Sequence, residues 1–222
     1  MTTTRPTRSN RRNMTLRNAF AEFVKHPSPW MIAVFVVGSL TARLIIGGWS
    51  WVDAVVPVIL LAISPVVEWL IHVGILHWRP RRIGKLTIDS LLAREHRAHH
   101  QDPRDIPLIF IPWPVLVWLL PLLTAIGVFA FGRVGLGLTF LFTVTAFLLV
   151  YEWTHYLIHT DYKPRSRLYR ATWRNHRFHH YKNEHYWFTV TTTGTADRIL
   201  HTYPDPNSVE KSPTAKDLHA KA

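Results

Sequence analysis

Between residues 68 and 185 of this 222-residue chain, histidines recur in a fixed grammar. His72 and His77 form HxxxxH, and His96, His99 and His100 form HxxHH. His155 and His159 form HxxxH, and His176, His179 and His180 repeat HxxHH. Together these are ten of the fourteen histidines. Neutral imidazole is the commonest protein ligand for transition metals, so the chemistry these residues offer is metal binding. One ion takes roughly four to six ligands. Two metals sharing the set is the natural count.

Helix geometry gives the spacing its meaning. Residues i, i+3 and i+4 share one helical face, so each HxxHH points three imidazoles in one direction and HxxxH points two. HxxxxH is different, because i and i+5 diverge by about 140° on an ideal helix. His72 and His77 therefore converge only at a helix end or a π-bulge, or they serve two different metals.

The elements that must position these boxes are four apolar runs, at about 30–48, 51–78, 106–131 and 134–159. Each is about the length needed to span a bilayer. Arg43 interrupts the first run near its far end, where it is expected to snorkel. Ser64 and Pro65 are expected to kink the second. Pro112, Pro114 and Pro121 mark the third, whose first part reads as a re-entrant or interfacial piece. Before the spans lies a basic arm, 1–28, with its first fifteen or so residues disordered and a short interfacial helix over 16–24. No apolar region follows the start closely enough for a cleaved signal peptide. Residues 79–105 form a polar segment in which 88–100 is helical, with Asp89 and Ser90 as possible caps. The folded region is expected over 29–205, with a disordered polar tail at 206–222.

Charge orients these spans. The formal net charge is +12, and 24 of the 26 lysines and arginines fall in the arm, in 79–105 or beyond residue 159. The exceptions, Arg43 and Arg133, sit at or near the two short hairpin turns. The positive-inside rule then puts both termini and the middle segment in the cytoplasm. The hydrophobic fraction is 48% and blocked into runs too long for a soluble core, so the basic residues face a membrane surface rather than nucleic acid. With no cysteine, disulfides, iron–sulfur clusters and thiolate zinc sites are excluded. The expected architecture is all-α: a polytopic membrane protein with four transmembrane helices in two hairpins, and a cytoplasmic helical cap holding a histidine-rich dimetal site.

Ligating histidines usually give their second N–H to a carboxylate or carbonyl. Glu68 and Glu152, four and three residues before His72 and His155, are the acids best placed for this. Acids this near the hydrocarbon are expensive unless paired. Glu95, Asp161, Glu184 and Asp197 lie near the other boxes. His185 is a further candidate ligand or outer donor. His26, His201 and His219 are not expected to ligate, although His201 lies in a segment placed to close over the site. Trp30, Trp49, Trp51 and Trp78 read as a membrane belt. Trp153, Tyr156, Trp173, Tyr181, Tyr186 and Trp187 are placed to line an apolar slot beside the metals.

Three other classes fit less well. A metal transporter would carry ionisable residues through the span centres, which are nearly free of them. A membrane zinc hydrolase needs an HExxH-type general base, absent here. A purely structural role leaves the histidine grammar unexplained.

In this order, on two membrane hairpins, the four boxes resemble the fatty acid hydroxylase/sterol desaturase superfamily of integral-membrane di-iron oxygenases. The likeness runs from about Glu68 to Thr202. The segment from the fourth apolar run through HRFHHYKNEHYWFTVTTTGTADR looks most like the fatty acid 2-hydroxylase branch. In two places the chain departs from that pattern. A usual tryptophan–aspartate pair reads Ala196-Asp197, and a usual phenylalanine–glycine–threonine reads Leu200-His201-Thr202. The resemblance implies two irons (with zinc possible in purified protein), molecular oxygen as co-substrate and a lipid substrate, fatty acyl in the first instance. Desaturation, or a sterol or carotenoid substrate, is the alternative on the same scaffold. The chain has no GxGxxG, P-loop or HPGG-like haem motif. No bound flavin, haem or nucleotide is expected, and electrons come from a separate cytochrome b5-like or ferredoxin-type donor.

Overall fold

A computed structural model describes residues 14–220; the first thirteen residues, including most of the stretch expected to be disordered, lie outside the described residues. α1 (Leu16–Phe23) starts at Thr15, whose hydroxyl accepts from the Asn18 amide at 3.2 Å. α2 (Pro27–Ile46) and α3 (Trp51–Ile71) form the first hairpin, and α5 (Trp113–Phe129) and α6 (Val134–His159) the second. Between the hairpins come a small antiparallel ribbon, β1 (Arg81–Ile83) with β2 (Leu86–Ile88), and α4 (Leu91–Gln101). After α6 follow α7 (Arg167–Tyr181) and the short α8 (Thr195–Ile199). Four helical stretches are long and apolar enough to cross a membrane: Pro27–Ile46, Trp51–Leu76, Ile106–Phe129 and Val134–His159.

The ribbon occupies the polar segment ahead of the stretch expected to be helical, 88–100, and Gly84, at φ 61°, makes its turn. α4 begins as expected, with the Ser90 hydroxyl accepting from the Ala93 amide at 3.1 Å. The third run is a 3-10 turn (Ile106–Ile109) followed by the helix proper. α3 stays helical through Pro57 and Pro65, so neither proline ends it.

α6 is the axis of the bundle, with α2, α3 and α5 laid against it. Its early face is small and polar: Gly135, Gly137, Thr139, Thr143 and Thr145 are buried. The threonine hydroxyls donate back to carbonyls four residues earlier, as Thr143 does to Thr139 at 2.7 Å. These hydroxyls are then not left bare in hydrocarbon. A Cβ added at Gly137 would lie 1.7 Å from the Gly127 carbonyl oxygen, so α5 and α6 cross with their backbones in contact. Small residues permit such an approach in lipid, where packing rather than the hydrophobic effect joins helices.

Arg43 does not snorkel. It is buried, with 1% of its surface exposed, and pairs with Asp53 at 2.9 Å and Thr139 at 3.0 Å under the Trp49 ring. Arg133 reaches the same carboxylate at 3.0 Å. A buried charge is tolerable when paired and hydrogen-bonded, and Asp53 ties both hairpin turns together at the end of the bundle away from the histidines. At the other end, Phe23 of α1 packs on Phe110, Trp153 and Tyr156, clamping α1 beneath the second hairpin.

The stretch from residue 206 on, expected to be a disordered tail, is ordered as far as residue 220. Ala215 and Leu218 are buried, and Lys182 donates to the Pro206 carbonyl. Composition marked it as polar, but its serine and threonine hydroxyls are used to bind Glu184.

Candidate metal centre

The ten histidines converge at one end of the bundle and divide into two groups of five. His72, His77, His96, His100 and His179 form one; His99, His155, His159, His176 and His180 form the other. Within each group one nitrogen per ring lies within 4.8 Å of all the others. The groups adjoin: the His100 and His180 ring centroids are 4.1 Å apart.

Local structure explains the partition. HxxxxH falls on a π-helical turn, His72–Leu76, closed by the His77 amide donating to the His72 carbonyl at 2.9 Å. That i→i+5 turn brings both rings to one group, as a π-bulge should. HxxxH at the end of α6 sends both rings to the other. Each HxxHH divides, contrary to a single shared direction. On a helix i+4 leads i by about 40° and i+3 lags it by about 60°. Hence His96 with His100, and His176 with His180, stay together, while His99 and His179 cross to the opposite group.

Several observations show that the rings fit metal ions. In the second group, His159 Nε2 lies 3.2 Å from His99 Nε2, 3.2 Å from His155 Nε2 and 3.1 Å from His176 Nε2. In the first, His77 and His179 Nε2 are 3.2 Å apart. One ring proton cannot serve three such neighbours. Two nitrogens bound about 2.0–2.1 Å from one ion stand roughly 2.9 Å apart at a right angle and roughly 3.4 Å apart at the tetrahedral angle; the observed spacings fall between. Buried ring nitrogens without a partner recur, both of those on His72 and Nε2 of His96 and His100 among them.

The tautomers agree with this. A carbonyl oxygen only accepts, so a ring nitrogen 2.9 Å from one carries a proton. His155 Nδ1 donates to Ile109, His179 Nδ1 to Tyr186 and His100 Nδ1 to Ala215, each at 2.9 Å. In each neutral ring Nε2 is left as a lone pair facing its group. Burial also holds His77, His96, His99, His100, His176, His179 and His180 below the ordinary imidazole pKa, reinforced by neighbouring imidazoles. Neutral rings are what a metal requires.

The acids do different work from the one expected. Glu68 accepts from the Val190 and Thr191 amides and the Thr191 hydroxyl, not from His72. Glu152 accepts from Ser28 Oγ at 2.9 Å and the Ile111 amide at 2.8 Å, not from His155. Asp197, fully buried, accepts from the Phe188 and Thr189 amides at 2.8 and 3.0 Å and from Thr202 Oγ1 at 2.9 Å. These carboxylates fix the loops and helix ends around the imidazoles. Asp197 thereby holds the Phe188 ring 5.1–5.5 Å from the rings of His72, His77 and His179, an apolar cover over the first group. His185 points away, its side chain 71% exposed beside Glu184. Asp161 pairs with Arg104. His26 stacks on Phe110, and His201 is exposed; neither joins a group. Sequence reasoning missed Phe188, and it missed the carbonyls of Ile109, Tyr186 and Ala215, which carry no side-chain signal.

Four apolar helices closed at one end by ten converging imidazoles define a membrane protein with two adjoining histidine groups, each able to hold a metal ion. A family model, fatty acid hydroxylase, matches residues 57–202 and so takes in every histidine of both groups. The chain belongs to the fatty acid hydroxylase family. No curated protein and no solved structure matches it.

Proposed function

We propose that this protein is a membrane-bound di-iron oxygenase that hydroxylates a fatty acyl lipid, with electrons from a separate protein. The observation that carries the reading is the division of ten histidines, nine of them buried and His77 partly so, into two adjoining groups of five, within a chain of this family. His72, His77, His96, His100 and His179 hold one iron; His99, His155, His159, His176 and His180 hold the other. Such ions, when bound, supply oxygen activation for attack on an unactivated C–H bond.

The chain's own residues prepare that chemistry. Neutral imidazoles would leave the charge of a bound metal uncompensated. The carbonyls of Ile109, Tyr186 and Ala215 fix three ring tautomers. Phe188, buried against the rings of His72, His77 and His179, keeps water from the first group, which limits leakage of reactive species. The substrate is an amphipath whose chain stays in lipid while its reacting carbon reaches the histidine end. The positive-inside bias supports a cytoplasmic placement of that end, and the basic exposed surface there suits an acidic donor such as a cytochrome b5-like protein or a ferredoxin. The likeness of the stretch from the fourth apolar run to Arg198 to the 2-hydroxylase branch favours attack next to the carboxyl group.

Lipid profiling of cells with and without the gene tests the reading. A lipid class that gains one oxygen atom only when the protein is present is the expected result. Loss of two hydrogens instead identifies a desaturase. An unchanged lipidome, with iron absent from protein purified from those cells, rejects the oxygenase.

A further inference from the structure

The ordered C-terminal segment, 209–220, lies outside the stretch that matches the family model, yet it touches the metal centre at one group only. Its carbonyl at Ala215 accepts from His100 Nδ1 at 2.9 Å. Two turns bonded from Asp217 to Thr214 and from Ala220 to Asp217, each at 3.0 Å, carry the chain on to His219. The His219 ring there donates from Nε2 to the His77 carbonyl at 3.0 Å. His219 takes a left-handed backbone, φ 71°, to do so. That conformation disfavours a side chain, and here the contact made by the ring accompanies it.

The segment is anchored as well as placed. The Ser212 amide donates to the Lys182 carbonyl at 2.8 Å, and the hydroxyls of Ser212 and Thr214 both donate to the buried Glu184 carboxylate. Gln101 reaches Asp217 at 3.4 Å, and Ala215 and Leu218 are buried beneath the segment. It therefore joins the end of the π-turn, the end of α4 and the end of α7. α4 and α7 carry histidines of both groups, but the two histidines that the segment bonds directly, His100 through its ring and His77 through its carbonyl, both belong to the first. The second group is tied elsewhere: His155, inside the second hairpin, donates to Ile109. Among the described residues, no hydrogen bond of the segment reaches a second-group histidine.

We propose that residues 209–220 form a strap that positions the first histidine group alone, so that the two metal positions differ in their dependence on the C-terminus. Ala215 and His219 are positioning residues: one sets the His100 tautomer and ring angle, the other holds the His77 backbone. This inference rests on reading both groups as metal sites, and its test keeps the two apart.

Purified protein in detergent is stripped of metal and titrated with cobalt(II), whose visible absorption reports each site. The full chain takes two equivalents. Removing residues 209–222 leaves one equivalent bound as before and weakens the other about 10- to 100-fold, the usual effect of losing a group that orients a metal-bound histidine. His179→Ala in the full chain removes that same weakened equivalent, and His176→Ala removes the other, which assigns the sites. Where the shortened chain does not fold, Ser212→Ala with Thr214→Val uproots the strap at Glu184, and His219→Ala cuts its far end; each weakens the first equivalent selectively. Equal weakening of both equivalents, or of neither, overturns the strap while leaving the metal sites standing. A full chain that takes no cobalt overturns the metal reading, and the strap with it.

Discussion

At the scale of single residues, the centre is a problem of protons. Ten imidazoles within a few ångströms of one another cannot all be charged, and burial lowers the pKa of each one outside the spans. The sign of the resulting pH dependence follows. The unfolded chain takes protons below about pH 6.5, where an ordinary imidazole titrates, and the folded chain refuses them. The metal-free protein is therefore fully stable above that value and loses stability as pH falls below it. Its melting temperature is expected to drop between about pH 7.5 and about pH 5.5; a flat profile would contradict the packing of the rings. Replacing one ring is equally telling. His99→Ala and His179→Ala remove one ligand from opposite groups, and each is expected to abolish turnover while the protein still inserts. Product formation in membranes, set against the amount of inserted protein, checks this, and activity retained in both variants rejects the site.

Individual elements succeed here by local departures from the ideal helix. The π-turn at His72–Leu76 rotates His77 into register with His72, which no regular helix would do. The crossing of α5 over α6 depends on having no side chain at Gly137. Gly137→Val is expected to destabilise the protein by at least about 2 kcal/mol, since a backbone rather than a flexible side chain must yield. Gly38→Ala, where an added Cβ meets nothing within 4 Å, is expected to be neutral. Unfolding of the two variants in detergent separates a specific crossing from a general intolerance of larger residues. These departures also explain what was hard to read. A five-residue interval signalled that something irregular was needed, whereas a glycine at a crossing looks like any other glycine in a span.

For the whole molecule, function depends on which side of the bilayer the histidine end occupies. All four boxes fall at one end of the bundle, and the Arg43–Asp53–Arg133 cluster closes the other. The distribution of lysine and arginine predicts a cytoplasmic histidine end. Reporter fusions after residue 89 and at the C-terminus are expected to score as cytoplasmic, and a fusion at residue 132 as external. The reverse pattern would overturn the proposed cytoplasmic placement of the histidine end.

The histidine types and intervals, four apolar runs and a one-sided charge distribution were all legible in the chain. Each is a local or compositional property: a helix repeats every 3.6 residues, and a bilayer sets the length of a span. Tertiary structure decided the rest. Which ring joins which group depends on how α4 and α7 roll against the ends of α3 and α6. The partners of the outer nitrogens are main-chain carbonyls, which every residue possesses and no sequence pattern marks. The last segment looked disordered because its composition is polar. It is ordered because Glu184, His77 and His100 present it with partners that exist only once the helices have assembled.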